Sequence, residues 1–184
     1  MKVQPTIGTE FSKIIVPVTD RTKENSKTNI SLQIWDTCNI IFICLAGAER
    51  FRAITNSHIR NSDGILIVYD VTKKDSFDSL AYWLDHVLEI TNDNCIKFLL
   101  GNKIDLVNQR EVSKSKAMDF FIKHNNRISQ FYEVSALTLE GFDIFFPEFC
   151  GLVYDHNKSK VHNRLKQNQR LFEKNKYKNN KYCC

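Results

Sequence analysis

The sequence predicts an α/β domain with a mostly parallel sheet. Short apolar, β-rich runs recur at Gly64 to Val71 and Ile96 to Gly101. Stretches of helical spacing lie between and after them, and strands that alternate with helices come out parallel. At 184 residues, 42% of them hydrophobic, the chain is long enough for one domain with a real core.

The elements follow in order. Residues 10–18 read as an edge-type strand ending near Pro17, because proline cannot donate to a ladder. Asp20 to Asn29 reads as a polar loop. Ile30 to Trp35 alternates, with Ile30, Leu32 and Ile34 on one face of a strand. The runs at 64–71 and 96–101 are apolar on both faces, as buried parallel strands require. Asp75 to Glu89 places Phe77, Leu80, Trp83, Leu84, Val87 and Leu88 at helical spacing. Ser113 caps a second helix running to Lys123. Phe131 to Val134 is a last short strand, and Leu139 to Tyr154 a third helical stretch. Pro147 falls inside that stretch and is expected to kink or restart it. The domain is placed at 1–155 and a flexible basic tail at 156–184, the segment 156–182 being polar, Asn/Lys-rich and expected to be disordered.

Charge is unevenly spread. The formal net charge is +5, yet residues 158–182 hold nine Lys/Arg against Glu173 and carry +8 by themselves, which leaves the rest at −3. The basic character therefore belongs to the tail. Only Tyr177 and Tyr182 interleave it, too few stacking groups for a nucleic-acid partner. No apolar run approaches the ~18 residues that span a bilayer, and the first residues lack a signal-peptide stretch. The six cysteines have no zinc-ligand spacing, so a reduced, cytosolic protein is expected.

Several short motifs carry chemistry. Asn102-Lys103-Ile104-Asp105 follows directly on an apolar strand, and open α/β sheets bind ligands beyond the carboxyl ends of their strands. An Asp carboxylate there can accept two neighbouring N–H donors of a ligand. Alone, the tetrad also reads as a polar strand-to-helix loop. Glu133-Val134-Ser135-Ala136 closes the next strand, and alone it reads equally as a turn into a helix. Asp36 ends the strand at 30–35, and Thr6-Ile7-Gly8-Thr9-Glu10-Phe11 opens the chain. Trp35-Asp36-Thr37 and Ala46-Gly47-Ala48-Glu49-Arg50-Phe51 are separated by the eight residues 38–45. Cys183-Cys184 follow the basic tail.

In this order the motifs resemble those of Rab-type small GTPases, over residues 6–37 and 46–154. The two separated halves join into a WDTAGQERF-like switch II signature. The resemblance implies a P-loop-NTPase-like small GTPase fold acting in vesicle-mediated membrane traffic, with GTP or GDP and Mg²⁺ as cofactors. It assigns guanine binding to Asn102, Lys103, Asp105, Ser135 and Ala136. The Lys stem lies over the base, the Asn ties loops together, and the Ala136 N–H reaches guanine O6. It assigns metal and phosphate contacts to Thr6, Asp36 and Gly47. Effector contact falls to Phe11 and Trp35, with His58 where the family has a Tyr. Plain packing of Trp35 against the sheet is the alternative. Cys183 and Cys184 match a double-prenylation site, and stable anchoring takes two such signals. The tail adds attraction to anionic leaflets. The implied partners are Rab effectors, an escort protein, GDP-dissociation inhibitor and the cytosolic face of intracellular membranes.

The chain also departs from the pattern. These 184 residues contain no Gly-x-x-x-x-Gly-Lys-Ser/Thr run, so the first strand, P-loop and first helix are expected to be lacking. Ala48 stands at the position of the water-orienting glutamine, and a methyl group holds no water. The 38–45 insert can span more than about 20 Å extended, which separates Asp36 from Gly47. Ile40 to Leu45 is β-rich and is expected to fold back, antiparallel, into part of the slot that the first strand leaves between 30–36 and 64–71. Impaired GTP binding and hydrolysis are the consequence. A non-enzymatic, prenylated pseudo-GTPase that binds effectors or escort proteins is the alternative.

Overall fold

A computed structural model describes residues 9–20, 26–37, 56–91 and 95–159. Two sheets are present among them. Strands β1 (Thr9–Asp20) and β2 (Ser26–Thr37) form an antiparallel ribbon, with Phe11 opposite Trp35 and Glu10 opposite Asp36. Strands β3 (Gly64–Asp70), β4 (Ile96–Asn102) and β5 (Gln130–Val134) form a parallel sheet in the order β3-β4-β5. The helices are α1 (residues 56–60), α2 (Lys74–Asp78), α3 (Leu80–Ile90), α4 (Lys114–Lys123) and α5 (residues 142–159).

The parallel sheet carries a buried cluster on each face, since successive side chains of a strand point to opposite sides. Ile67, Tyr69 and Leu99 face the core shared with Phe77, Leu80, Leu84, Val112 and Ala117. Phe98 and Leu100 face the other way, against Val134 and Phe145 of α5. Leu66 and Val68 pair in register with Phe98 and Leu100, so they share that second face. They are nevertheless 36% and 50% exposed, so α5 covers the sheet over β4 and leaves it open over β3. Gly64 is where α5 comes closest to β3. A Cβ there would sit 2.6 Å from Phe149 Cζ and from Val153 Cγ2.

Several expected boundaries are corrected. β1 runs through Pro17, which pairs with Asn29, and continues to Asp20. In a two-stranded ribbon both strands are edges, so a proline can turn its missing N–H away from the partner. The last part of the stretch expected as a polar loop, Ser26 to Asn29, is strand, since β2 begins at Ser26. Most side chains at this end of the ribbon are exposed, with Val18 the buried exception, so few positions there demand apolar residues. Ile34 is 40% exposed rather than inward. The single helix expected over 75–89 is two helices that meet at Ser79, whose hydroxyl donates back to Ser76 O at 2.9 Å. Pro147 does not restart α5, which is helical without a break through residue 159, taking in residues 156–159 of the stretch expected to be disordered. One lost backbone bond is outweighed by the burial of Phe145, Cys150 and Val153 on the sheet.

The insert at 38–45, with Ile40 to Leu45, lies outside the described residues, as do Thr6, Gly47, Ala48, Cys183 and Cys184. Among the described residues no helix is long and apolar enough to cross a membrane.

Candidate functional site

β4 and β5 end side by side, with Asn102 opposite Val134, and this brings the two loop motifs together. Asn102 Oδ1 accepts from the N–H of Lys103 at 2.8 Å and from the N–H of Ala136 at 3.0 Å. Both partners are donors, so the amide orientation is fixed by chemistry, and Nδ2 is turned the other way. One side chain thus bridges the loops after β4 and β5. Asp105 Oδ1 accepts from Ser135 Oγ at 2.6 Å, and Ser135 Oγ accepts in turn from Thr138 N–H at 3.1 Å. Ser135 is fully buried, which makes it a rigid support for the carboxylate. Asp105 Oδ2 has no hydrogen-bond partner among the described residues, and a carboxylate oxygen in that position can accept from an amide or amine edge.

Lys103 is held in an unusual way. Its φ is +72°, the left-handed region that L side chains rarely adopt. Its side chain crosses to β3, where Nζ lies 2.6 Å from Asp70 Oδ2. Asp70 Oδ1 accepts from Thr72 N–H at 2.9 Å and from Thr72 Oγ1 at 2.7 Å. Burial pushes the Asp70 carboxyl up, but the hydrogen bonds from Lys103 and Thr72 prevail and hold it below the ordinary carboxylate value.

Glu133 anchors the end of β5. It accepts a two-pronged pair of bonds from Arg110, at 2.7 and 3.1 Å, and Arg110 also donates to Val112 O at 3.1 Å. Tyr69 lies in the same neighbourhood. Burial raises its phenol far above the usual range, the Glu133 charge adds to this, and Arg110 opposes it.

The remaining sequence-derived residues lie elsewhere. Asp36 is exposed near the end of β2, in the ribbon rather than beside β4 and β5. It is the one member of the Mg²⁺ set with Thr6 and Gly47 that falls within the described residues. Phe11 and Trp35 are 50% and 41% exposed, with ring centroids 4.7 Å apart. His58 of α1 stacks on Trp35 at 4.0 Å and 22°. Phe11, Trp35 and His58 are therefore one continuous aromatic surface that joins the ribbon to α1.

Residues of two kinds escaped the sequence. Asp70 lies within the run Gly64 to Val71, which reads as a buried strand and gives no separate signal for it. Arg110 carries no local signal, because its partner is 23 residues away.

The loops after β4 and β5 thus meet through an asparagine amide and an Asp–Ser pair, at the strand ends where open α/β sheets bind ligands. The family model described as the Ras family matches residues 1–155. The chain is also similar to the Ras-related protein RABC1 of Arabidopsis thaliana. The two are 31% identical over 188 positions, which cover 99% of this chain and 80% of that protein. This chain belongs to the Ras family of small GTPases, in its Rab group.

Proposed function

We propose that this chain is a Rab-like regulator of vesicle-mediated traffic that retains a guanine-reading site but is impaired in holding and hydrolysing GTP. The observation that carries the first half is the joined geometry of the two loops. Asp105 is oriented by buried Ser135, and Asn102 bridges to Ala136. Asp105 would accept from guanine N1–H and N2–H₂, and the Lys103 stem would wall one face of the base. The Ala136 N–H, now donated to Asn102 Oδ1, would be shared with or released to guanine O6. When bound, GTP and Mg²⁺ supply the phosphate charge that orders the switch segments of the family.

The second half rests on sequence. The eight residues 38–45 separate Asp36 from Gly47, and Ala48 stands at the position of the water-orienting glutamine. Cys183 and Cys184 are proposed lipidation sites that, with the basic tail, place the protein on the cytosolic face of intracellular membranes. Escort protein and GDP-dissociation inhibitor are the matching partners.

One observation favours a non-enzymatic role as a second reading. Phe11 and Trp35 are exposed and already stacked with half-buried His58, and large exposed aromatics are typical anchors for protein partners. An equilibrium titration of the purified 1–184 chain with labelled GDP and GTP separates the two. Micromolar or tighter binding supports a nucleotide switch. No binding at all supports a pseudo-GTPase that acts through its surface and tail.

A further inference from the structure

We propose that Asp70 is a positioning residue for guanine recognition, which orients Lys103 so that the lysine meets the base with its stem and not its charge. The proposal rests on the guanine reading of the site. Lys103 starts from a left-handed backbone, which turns its side chain back across the end of the sheet to β3. Its ammonium ends 2.6 Å from Asp70 Oδ2. Asp70 cannot swing to follow it, because Thr72 holds Oδ1 by two bonds and the Asp70 N–H donates to Ser76 Oγ at 3.0 Å. Asp70 and Asn102 are also register partners at the ends of β3 and β4, so the anchor of the lysine and the amide that joins the two loops share one backbone frame.

The consequence is a division of labour along the Lys103 side chain. The charged end is paired at a carboxylate whose side chain is 14% exposed, while the lysine side chain remains 46% exposed. With the ammonium engaged at Asp70, the methylene stem is free to serve as an apolar wall near the polar Asp105–Ser135 pair. A planar purine needs that combination: a flat apolar contact on its face and directed polar groups at its edge. With Asp70 neutralised, the lysine regains its rotamers, and ordering it becomes part of the binding cost.

The test uses the full 1–184 chain with GDP as the probe, ADP as the control, and ¹⁵N resonances of the Ala136 amide and the Lys103 ammonium as readouts. In the native chain the Lys103 ammonium should be visible as a slowly exchanging signal, and it should be lost in Asp70→Asn. GDP affinity should fall about three- to tenfold in Asp70→Asn through faster release. Lys103→Met keeps the stem without the charge. In the Asp70→Asn background it should recover most of the lost affinity, a rescue that a merely structural Asp70 would not permit. Native GDP binding that Asp70→Asn leaves unchanged, or a double variant no better than Asp70→Asn, would overturn the positioning role while leaving the guanine site intact. A native chain in which GDP perturbs Ala136 no more than ADP does would overturn the guanine reading itself, and the role of Asp70 with it.

Discussion

Replacing Arg110 with alanine should strand a carboxylate. Glu133 keeps only 9% of its side-chain surface in water, and both its oxygens are taken by Arg110. Removing the guanidinium leaves that charge buried without its partner, and breaking a buried pair from one side costs about 3–5 kcal/mol. Arg110 itself is 26% exposed, so solvent already screens part of the interaction, and about 2–4 kcal/mol is the better expectation here. For a domain of this size that corresponds to a melting temperature about 4–16 °C lower. Glu133→Gln should cost less, because the arginine left behind can turn to water. The double variant Arg110→Met/Glu133→Gln should recover part of the loss, since no charge then remains buried. Thermal and urea unfolding of the four proteins gives the coupling energy directly. An Arg110→Ala cost under about 1 kcal/mol, or a double variant worse than the sum of the singles, would refute the reasoning.

Other expectations follow from single contacts. Gly64→Ala should destabilise by about 1–3 kcal/mol, because the added Cβ meets Phe149 and Val153 at 2.6 Å; an unchanged urea midpoint would show that α5 yields freely. Pro147→Ala should raise stability by on the order of 1–3 kcal/mol by restoring a backbone donor inside α5, and a lower melting temperature would contradict this. Asp70 has a folded-state value depressed below 3.8, so its contribution is present above the ordinary carboxylate range and lost as pH falls through the folded value. The stability gap between native protein and Asp70→Asn should therefore be open near neutral pH and close in acid; a gap independent of pH would disprove the linkage. Burial pushes the Cys150 thiol up to about 11, so peptide-resolved alkylation at mildly basic pH should label it slowly until the protein is unfolded in urea. Rapid labelling of the native protein would place it at the surface.

The parallel sheet was legible because its signal is local. Gly64–Asp70 and Ile96–Asn102 are short apolar runs, too short for a typical helix and rich in β-formers, which favours strands. The cap at Ser113 was legible for the same reason, and its side chain accepts from Lys116 N–H as expected. The ribbon was misjudged at both ends. Asn29 and Pro17 are poor strand residues by composition, and their pairing across 12 residues overrides that composition. Asn102, Asp105, Ser135 and Ala136 were legible as candidates because each motif sits at a strand end. Their coupling was not, because the Asp105–Ser135 bond crosses 30 residues and the Asn102–Ala136 bond 34. The Lys103–Asp70 pair was hidden for a different reason. It depends on a left-handed backbone at a lysine, which no propensity predicts.

The central claim is that the ends of β4 and β5 form a site that reads guanine. Its most direct measurement is a titration of the ¹⁵N-labelled 1–184 chain with GDP and, separately, ADP, following the amides of Asn102, Asp105, Ser135 and Ala136. GDP should shift these four amides in a saturable way, ADP should not, and Asp105→Ala should abolish the response. Equal shifts with both nucleotides, or a GDP response that survives Asp105→Ala, would contradict it.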